Sequence, residues 1–218
     1  YLFAGEPISY GFAGRDKQFV EKAFFEYHLY TLSAPSTVKD RQIKQLKLLK
    51  ANDVKATRRY IFEPAVDAHR VTAQLEFKNE EDNQMGMPLP KGRVRLSQRD
   101  ADGDLQLIGA DKIDHTPRDE ELELKLGHAF EVTAERTDVE TRRPAKRREI
   151  RTVQLRMRNH KDEPIRARFI QHLVANRNWS ITESTDPWTR EDVNTVHFDF
   201  VLDADAERTT TYTVDYQW

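Results

Sequence analysis

Alternation of apolar and polar residues at a period of two recurs along most of this chain, and it restricts the fold more than any other feature. Val71, Ala73, Leu75 and Phe77 point one way, with Arg70, Thr72, Gln74, Glu76 and Lys78 opposite. Val94 and Leu96 alternate with arginines, and Leu122, Leu124 and Leu126 with Glu121, Glu123 and Lys125. Farther on, Val153, Leu155 and Met157 repeat the pattern, as do Phe198, Phe200 and Leu202, then Tyr212, Val214, Tyr216 and Trp218. A strand sends successive side chains to opposite faces, so each run reads as a strand with one face buried. Asp102-Gly103, Pro88, Pro90, Pro117, Asp162-Glu163-Pro164 and Asp203-Ala204-Asp205 supply turns between them. The expected class is all-β, built of antiparallel sandwich units.

Two stretches leave the period open. Phe19, Val20, Ala23, Phe24 and Tyr27 fit a helix, whereas Phe25, Tyr27 and Leu29 fit a strand. Arg41 to Asn52 also fits an amphipathic helix of about three turns. In an all-β neighbourhood strand is expected for both. Residues 137–150 are polar, contain Pro144 and show no apolar period, so they read as a linker. It would separate an N-terminal β unit, residues 1–138, from an immunoglobulin-like sandwich, residues 148–218.

Charge and residue usage narrow the function classes. The 218 residues include 35 basic and 37 acidic side chains, a formal net charge of −2, which exerts no general pull on nucleic acid or anionic membrane. The absence of cysteine removes disulfides, thiolate metal sites and cysteine nucleophiles together. No apolar run approaches the about 18 residues of a spanning helix. The chain opens on Tyr1 and not on Met, which reads as a fragment or processed product, so a missing signal peptide does not argue for the cytosol.

Four groups of residues invite chemistry. Asp100, Asp102 and Asp104 match the first ligands of a calcium loop, but Leu105 stands where that loop requires Gly and Asp111 where it requires Glu. A hairpin turn through Asp102-Gly103 is the better reading. Asp114, His115 and His128 form a polar cluster, yet strand neighbours face apart, so Asp114 cannot easily orient His115 as a base. His115 is expected at a strand end before Pro117, bonded to backbone. Arg142, Arg143, Lys146, Arg147, Arg148 and Arg151 form a basic run that suits an anion, but no aromatics interleave to stack bases, so nucleic acid is not expected. Of the aromatic residues, Tyr212, Tyr216 and Trp218 are expected in the core, and Trp188 partly exposed.

No Gly-x-Ser-x-Gly elbow and no His-Glu-x-x-His is present, and no two histidines lie at clamp spacing. No catalytic residue, resident metal or cofactor is therefore expected.

The run from Gly86 to Val132, GMPLPKGRVRLSQRDADGDLQLIGADKIDHTPRDEELELKLGHAFEV, resembles the core of the bacterial domain-of-unknown-function family 4139. Tyr27 to Leu32 is similar to that family's opening strand, and Asp40 to Gln45 to its Asp-x-Gln-x-Lys-Gln segment. Arg158-Asn159-His160-Lys161, Trp179 and the closing TYTVDYQW fit as well, so the likeness spans about residues 24–218. The resemblance implies a β-rich, often exported protein, supplies no catalytic residues, and favours strand for residues 41–51. Together these readings predict a non-catalytic binding or assembly module of the cell envelope, periplasmic or otherwise extracytoplasmic, with a protein or glycan partner. The alternative is a hydrolase of envelope polysaccharide or peptide, with its site between the two β units.

Overall fold

A computed structural model describes residues 8–10, 19–24, 27–32 and 35–218. Its strands are β1 (Ile8–Tyr10), β2 (Phe19–Phe24), β3 (Tyr27–Leu32), β4 (Val54–Phe62), β5 (Arg70–Lys78), β6 (Gly92–Arg99), β7 (Leu105–Ile113), β8 (Glu121–Ala145), β9 (Arg148–Asn159), β10 (Ile165–His172), β11 (Asn178–Ser184), β12 (Thr189–Arg190), β13 (Thr195–Leu202) and β14 (Glu207–Gln217). A 3-10 turn at Glu81–Asn83 is the one helical element among the described residues. The chain is all-β, as the alternation predicts. No helix among the described residues is long and apolar enough to cross a membrane, which says nothing about a β-barrel.

The chain forms two compact units that interleave in sequence. One takes the described residues up to Thr57 together with Leu75–Lys125; the other takes Arg58–Gln74 and Leu126–Trp218. Strands β4, β5 and β8 contribute residues to both. The polar stretch at residues 137–150 instead predicts a linker between residues 1–138 and 148–218. That segment is a hairpin: β8 pairs with β9 from Val132↔Asn159 to Ala145↔Arg148, turning at Lys146-Arg147. Thr137, Val139 and Thr141 favour extended backbone, while the exposed arm needs no apolar face. The missing period there marked two wet faces and not a break in the strand.

In the first unit β1 pairs with β4, and β2–β3 and β6–β7 form hairpins. Its core gathers Phe77, Met85, Met87, Leu89, Leu122 and Leu124. Asn79 is fully buried and ties three segments together: its amide donates to the carbonyls of Met87 (2.8 Å) and Pro117 (2.7 Å), and its oxygen accepts from the Gly86 N–H (3.1 Å). Residues 42–52 form neither the expected strand nor a helix. Arg41 sits in a turn at φ 56, Ile43 is 93% exposed, and only the end of the segment, Leu49 and Ala51, packs on the core. The apolar positions are too few on either period to hold a ladder. The expected strand through Tyr27 and Leu29 is present as β3, whereas Phe25 lies outside the described residues.

The Asp-Gly turn falls where the sequence places it. Gly103 has φ +88, Asp100 O accepts its N–H at 3.1 Å, and a Cβ built there would meet nothing within 4 Å. The conformation alone therefore requires glycine. Gly103→Val is expected to lose about 1–3 kcal/mol of stability in urea titrations. An unchanged midpoint would contradict the strained turn.

In the second unit the strand order is β11-β14-β9-β8-β5-β4-β10-β13-β12. The described β10–β4 pairing is parallel, from Arg166↔Arg59 to Phe169↔Phe62. Val153, Leu155 and Met157 of β9 and Tyr212, Val214 and Tyr216 of β14 share one core with Phe169 of β10 and Phe198 of β13. Phe198 and Tyr212 approach to 5.5 Å between ring centroids, although β13 and β14 lie far apart in the strand order. The sheet thus turns back on itself and encloses its apolar face. Trp218, expected in that core, is 44% exposed instead, because it follows the last paired residue of β14. Trp188 is half-buried against Trp179, with ring centroids 6.2 Å apart.

Candidate functional site

The same alternation that buries Tyr212, Val214 and Tyr216 puts Thr211, Thr213 and Asp215 on the opposite face of β14. Thr152 of β9 stands beside them, and Thr182 to Thr185 of β11 and its following loop close one side. These residues line a groove of about 610 Å³ in the second unit. Its floor is rich in hydroxyls and ordered. Thr152 and Thr213 share a hydroxyl–hydroxyl bond of 3.0 Å, and Thr182 donates to the Thr213 carbonyl at 3.4 Å. Arg148 binds both carboxylate oxygens of the buried Asp215, at 2.7 and 3.1 Å. That hydrogen bond and charge hold the Arg148 guanidinium above its ordinary pKa. Arg142 pairs with Glu140 at the rim, 3.3 Å apart.

Behind this face lies a second cluster. Glu149 is fully buried, with its two oxygens taken by the Nε groups of Arg143 (3.0 Å) and Arg151. Burial pushes the Glu149 carboxyl up, but the hydrogen bonds and charges of Arg151 and Arg143 outweigh it and hold the group low. Four members of the basic run are thus in ion pairs, while Lys146 and Arg147 form the exposed turn between β8 and β9.

Two further clusters have no signal in the sequence, because their members come from separate strands and loops. Asp186 accepts from Thr210 at 2.5 Å and pairs with Arg208, which fastens the loop carrying Trp188 to β14. His172 joins Thr195 and Glu63: Thr195 Oγ1 lies 3.1 Å from His172 Nδ1, and Glu63 Oε1 2.7 Å from Nε2. A hydroxyl, an imidazole and a carboxylate in a row suggest a nucleophile and base. However, Thr195 is 5% exposed, which keeps its hydroxyl from a substrate. The row instead ties the turn after β4 to β10 and β13.

Burial pushes the carboxyls of Glu149, Asp186 and Asp199 up, but all lie below their ordinary range: Arg151 and Arg143 outweigh burial at Glu149, the Thr210 hydroxyl and then Arg208 at Asp186, and Arg168 with Arg59 at Asp199. Their contribution is complete above the unfolded values, about 3.9 for Asp and 4.3 for Glu. It is lost as pH falls through the depressed folded values. Urea midpoints should therefore hold steady from neutral pH to about 5 and fall below about 4. A midpoint that rises on acidification would contradict these pairs.

Of the metal candidates Asp100, Asp102 and Asp104, the Asp100 carboxylate is occupied with the turn itself. Asp100 accepts from Gln106 Nε2 and from the N–H groups of Asp102 and Asp104, at 3.0, 3.1 and 2.9 Å. The Gln106 bond leads in lowering its pKa. Among the described residues no group of three or more His, Asp or Glu side chains is arranged to hold a metal ion. Asp114 pairs with Lys91 Nζ at 2.7 Å, and that bond holds its carboxyl low. His115 Nδ1 accepts from the Lys91 backbone N–H at 3.4 Å, the backbone role expected of it. His128 is exposed and belongs to the other unit. Comparison with protein-family models, curated proteins and solved structures finds no match.

Proposed function

We propose that this protein is a non-catalytic binding module of the bacterial cell envelope, and that the groove over β9, β14 and β11 receives a glycan. The observation that carries this reading is the groove itself. Its volume falls within the ordinary range for ligand sites, about 300–1,000 Å³. Its floor offers hydroxyls at Thr152, Thr211 and Thr213 and, at one end, a carboxylate–guanidinium pair. Sugar hydroxyls both donate and accept, which matches such a lining better than an apolar ligand does. Binding is favoured over catalysis because these polar groups are held by one another. Asp215 is held by Arg148, and the Thr152 and Thr213 hydroxyls by each other, with no imidazole in the lining. The extracytoplasmic setting rests on the family resemblance. The immunoglobulin-like character of the C-terminal half rests on its strand spacing, and both are part of the proposal.

Thr211→Arg tests the reading, since a long side chain would fill the groove from its floor. Calorimetric titration with soluble fragments of envelope polysaccharide should show binding to the parent chain. The variant should bind at least about tenfold more weakly at an unchanged melting temperature, because contact groups lose their partners. A parent that ignores these fragments, or that cleaves them, would overturn the proposal.

A further inference from the structure

The cluster behind the groove has more positive charge than its buried carboxylate can balance. Arg143, Arg151 and Arg177 surround Glu149 alone: three guanidinium groups against one carboxylate. Glu149 uses both oxygens on the Nε atoms of Arg143 and Arg151. Arg177 Nη1 stands 3.6 Å from Glu149 Oε1, beyond hydrogen-bond reach, and is buried with no hydrogen-bond partner. A buried donor left unmade is costly, and more so when it is charged. Arg177 is also held in place, its guanidinium 3.9 Å from the centre of the Trp218 ring and 5.9 Å from that of Tyr216. Arg143 is 73% exposed, so the cluster opens to solvent on its side.

We propose that Arg143, Arg151 and Arg177 form a binding site for a tetrahedral oxyanion of the phosphate or sulfate class. Guanidinium forks suit such oxygens, and the terminal nitrogens not directed at Glu149 are available to donate. Glu149 competes with the anion for these donors, and Trp218 fixes the plane of the Arg177 guanidinium. The site is independent of the glycan groove, whose lining shares none of these residues.

The test uses the full chain with inorganic phosphate and sulfate as probes, against chloride at matched ionic strength. Both oxyanions should raise the melting temperature above chloride and give one-site heats. Arg177→Gln should weaken binding about tenfold, the effect of one lost charge-assisted bond. Arg95→Gln, the same charge change on β6, should leave it unchanged. Glu149→Gln removes the competing carboxylate and should tighten binding, and this sign decides the matter if Arg177→Gln fails to fold. Vesicles of phosphatidic acid in phosphatidylcholine distinguish the source. Capture that requires Arg177 assigns a lipid phosphate, and free-anion binding without capture assigns a soluble one; both support the site. Phosphate and sulfate that act no differently from chloride, with no arginine-dependent capture, would overturn it. So would binding that Glu149→Gln weakens.

Discussion

Phe169→Ala is expected to lower the unfolding free energy by about 3–5 kcal/mol, the range for truncating a fully buried aromatic. Phe169 is 0% exposed and lies on β10, at the centre of the second unit's core. Its ring meets Phe62 edge-on at 6.2 Å and Phe200 at 4.9 Å. Neighbours on β4 and β13 are fixed by backbone ladders on both sides of β10, so they cannot collapse into the space. The alanine variant would lose both the transfer free energy and the packing around a cavity. Chemical denaturation of parent and variant measures it, and a loss under about 1 kcal/mol would show that the core closes elsewhere.

Asn159→Asp is the other change of comparable size. Asn159 is fully buried at the end of β9. Its amide donates to the carbonyls of Glu163 and Asp203, each at 2.9 Å, and its oxygen accepts from the Lys161 N–H at 3.1 Å. One side chain thus fastens the two loops that follow β9 and β13. Aspartate has nearly the same shape, but ionised it has no donor and sets a charge against two carbonyl oxygens. A buried charge without a partner costs about 3–5 kcal/mol. The carboxyl would relieve this by taking a proton, so its folded pKa would rise above the unfolded value of about 3.9. The destabilisation relative to the parent is therefore full at neutral pH and shrinks as pH falls through that raised value. A penalty independent of pH would mean that the new carboxylate reaches solvent.

The alternation made the strands legible. Val153, Leu155, Met157, Tyr212, Val214 and Tyr216 all face the core as their spacing implies. Gly103 was legible because a turn at positive φ has few possible residues. The β8–β9 arm was not, since apolar period reports burial and that arm is exposed on both faces over residues 137–148. Nor were the clusters. Glu149 meets Arg143 and Arg151 within one hairpin, but Arg177 only through β11 and β14, and His172 meets Glu63 across more than a hundred residues. Those meetings depend on strand order, which no local pattern encodes. The groove was half-visible: the alternation that buries Tyr212, Val214 and Tyr216 implies that Thr211, Thr213 and Asp215 face away from the core, but it does not show whether that face is convex or concave.

Whether that concave face takes a ligand is the central question. Backbone amide spectra of the isotope-labelled chain, recorded as soluble envelope-polysaccharide fragments are added, answer it residue by residue. Binding in the groove predicts saturable shifts confined to Thr152, Thr182, Ser184, Thr211 and Thr213 and their neighbours, with the fragments unchanged at the end. No shifts at saturating fragment, shifts centred away from β9, β11 and β14, or fragments shortened during the titration would contradict it.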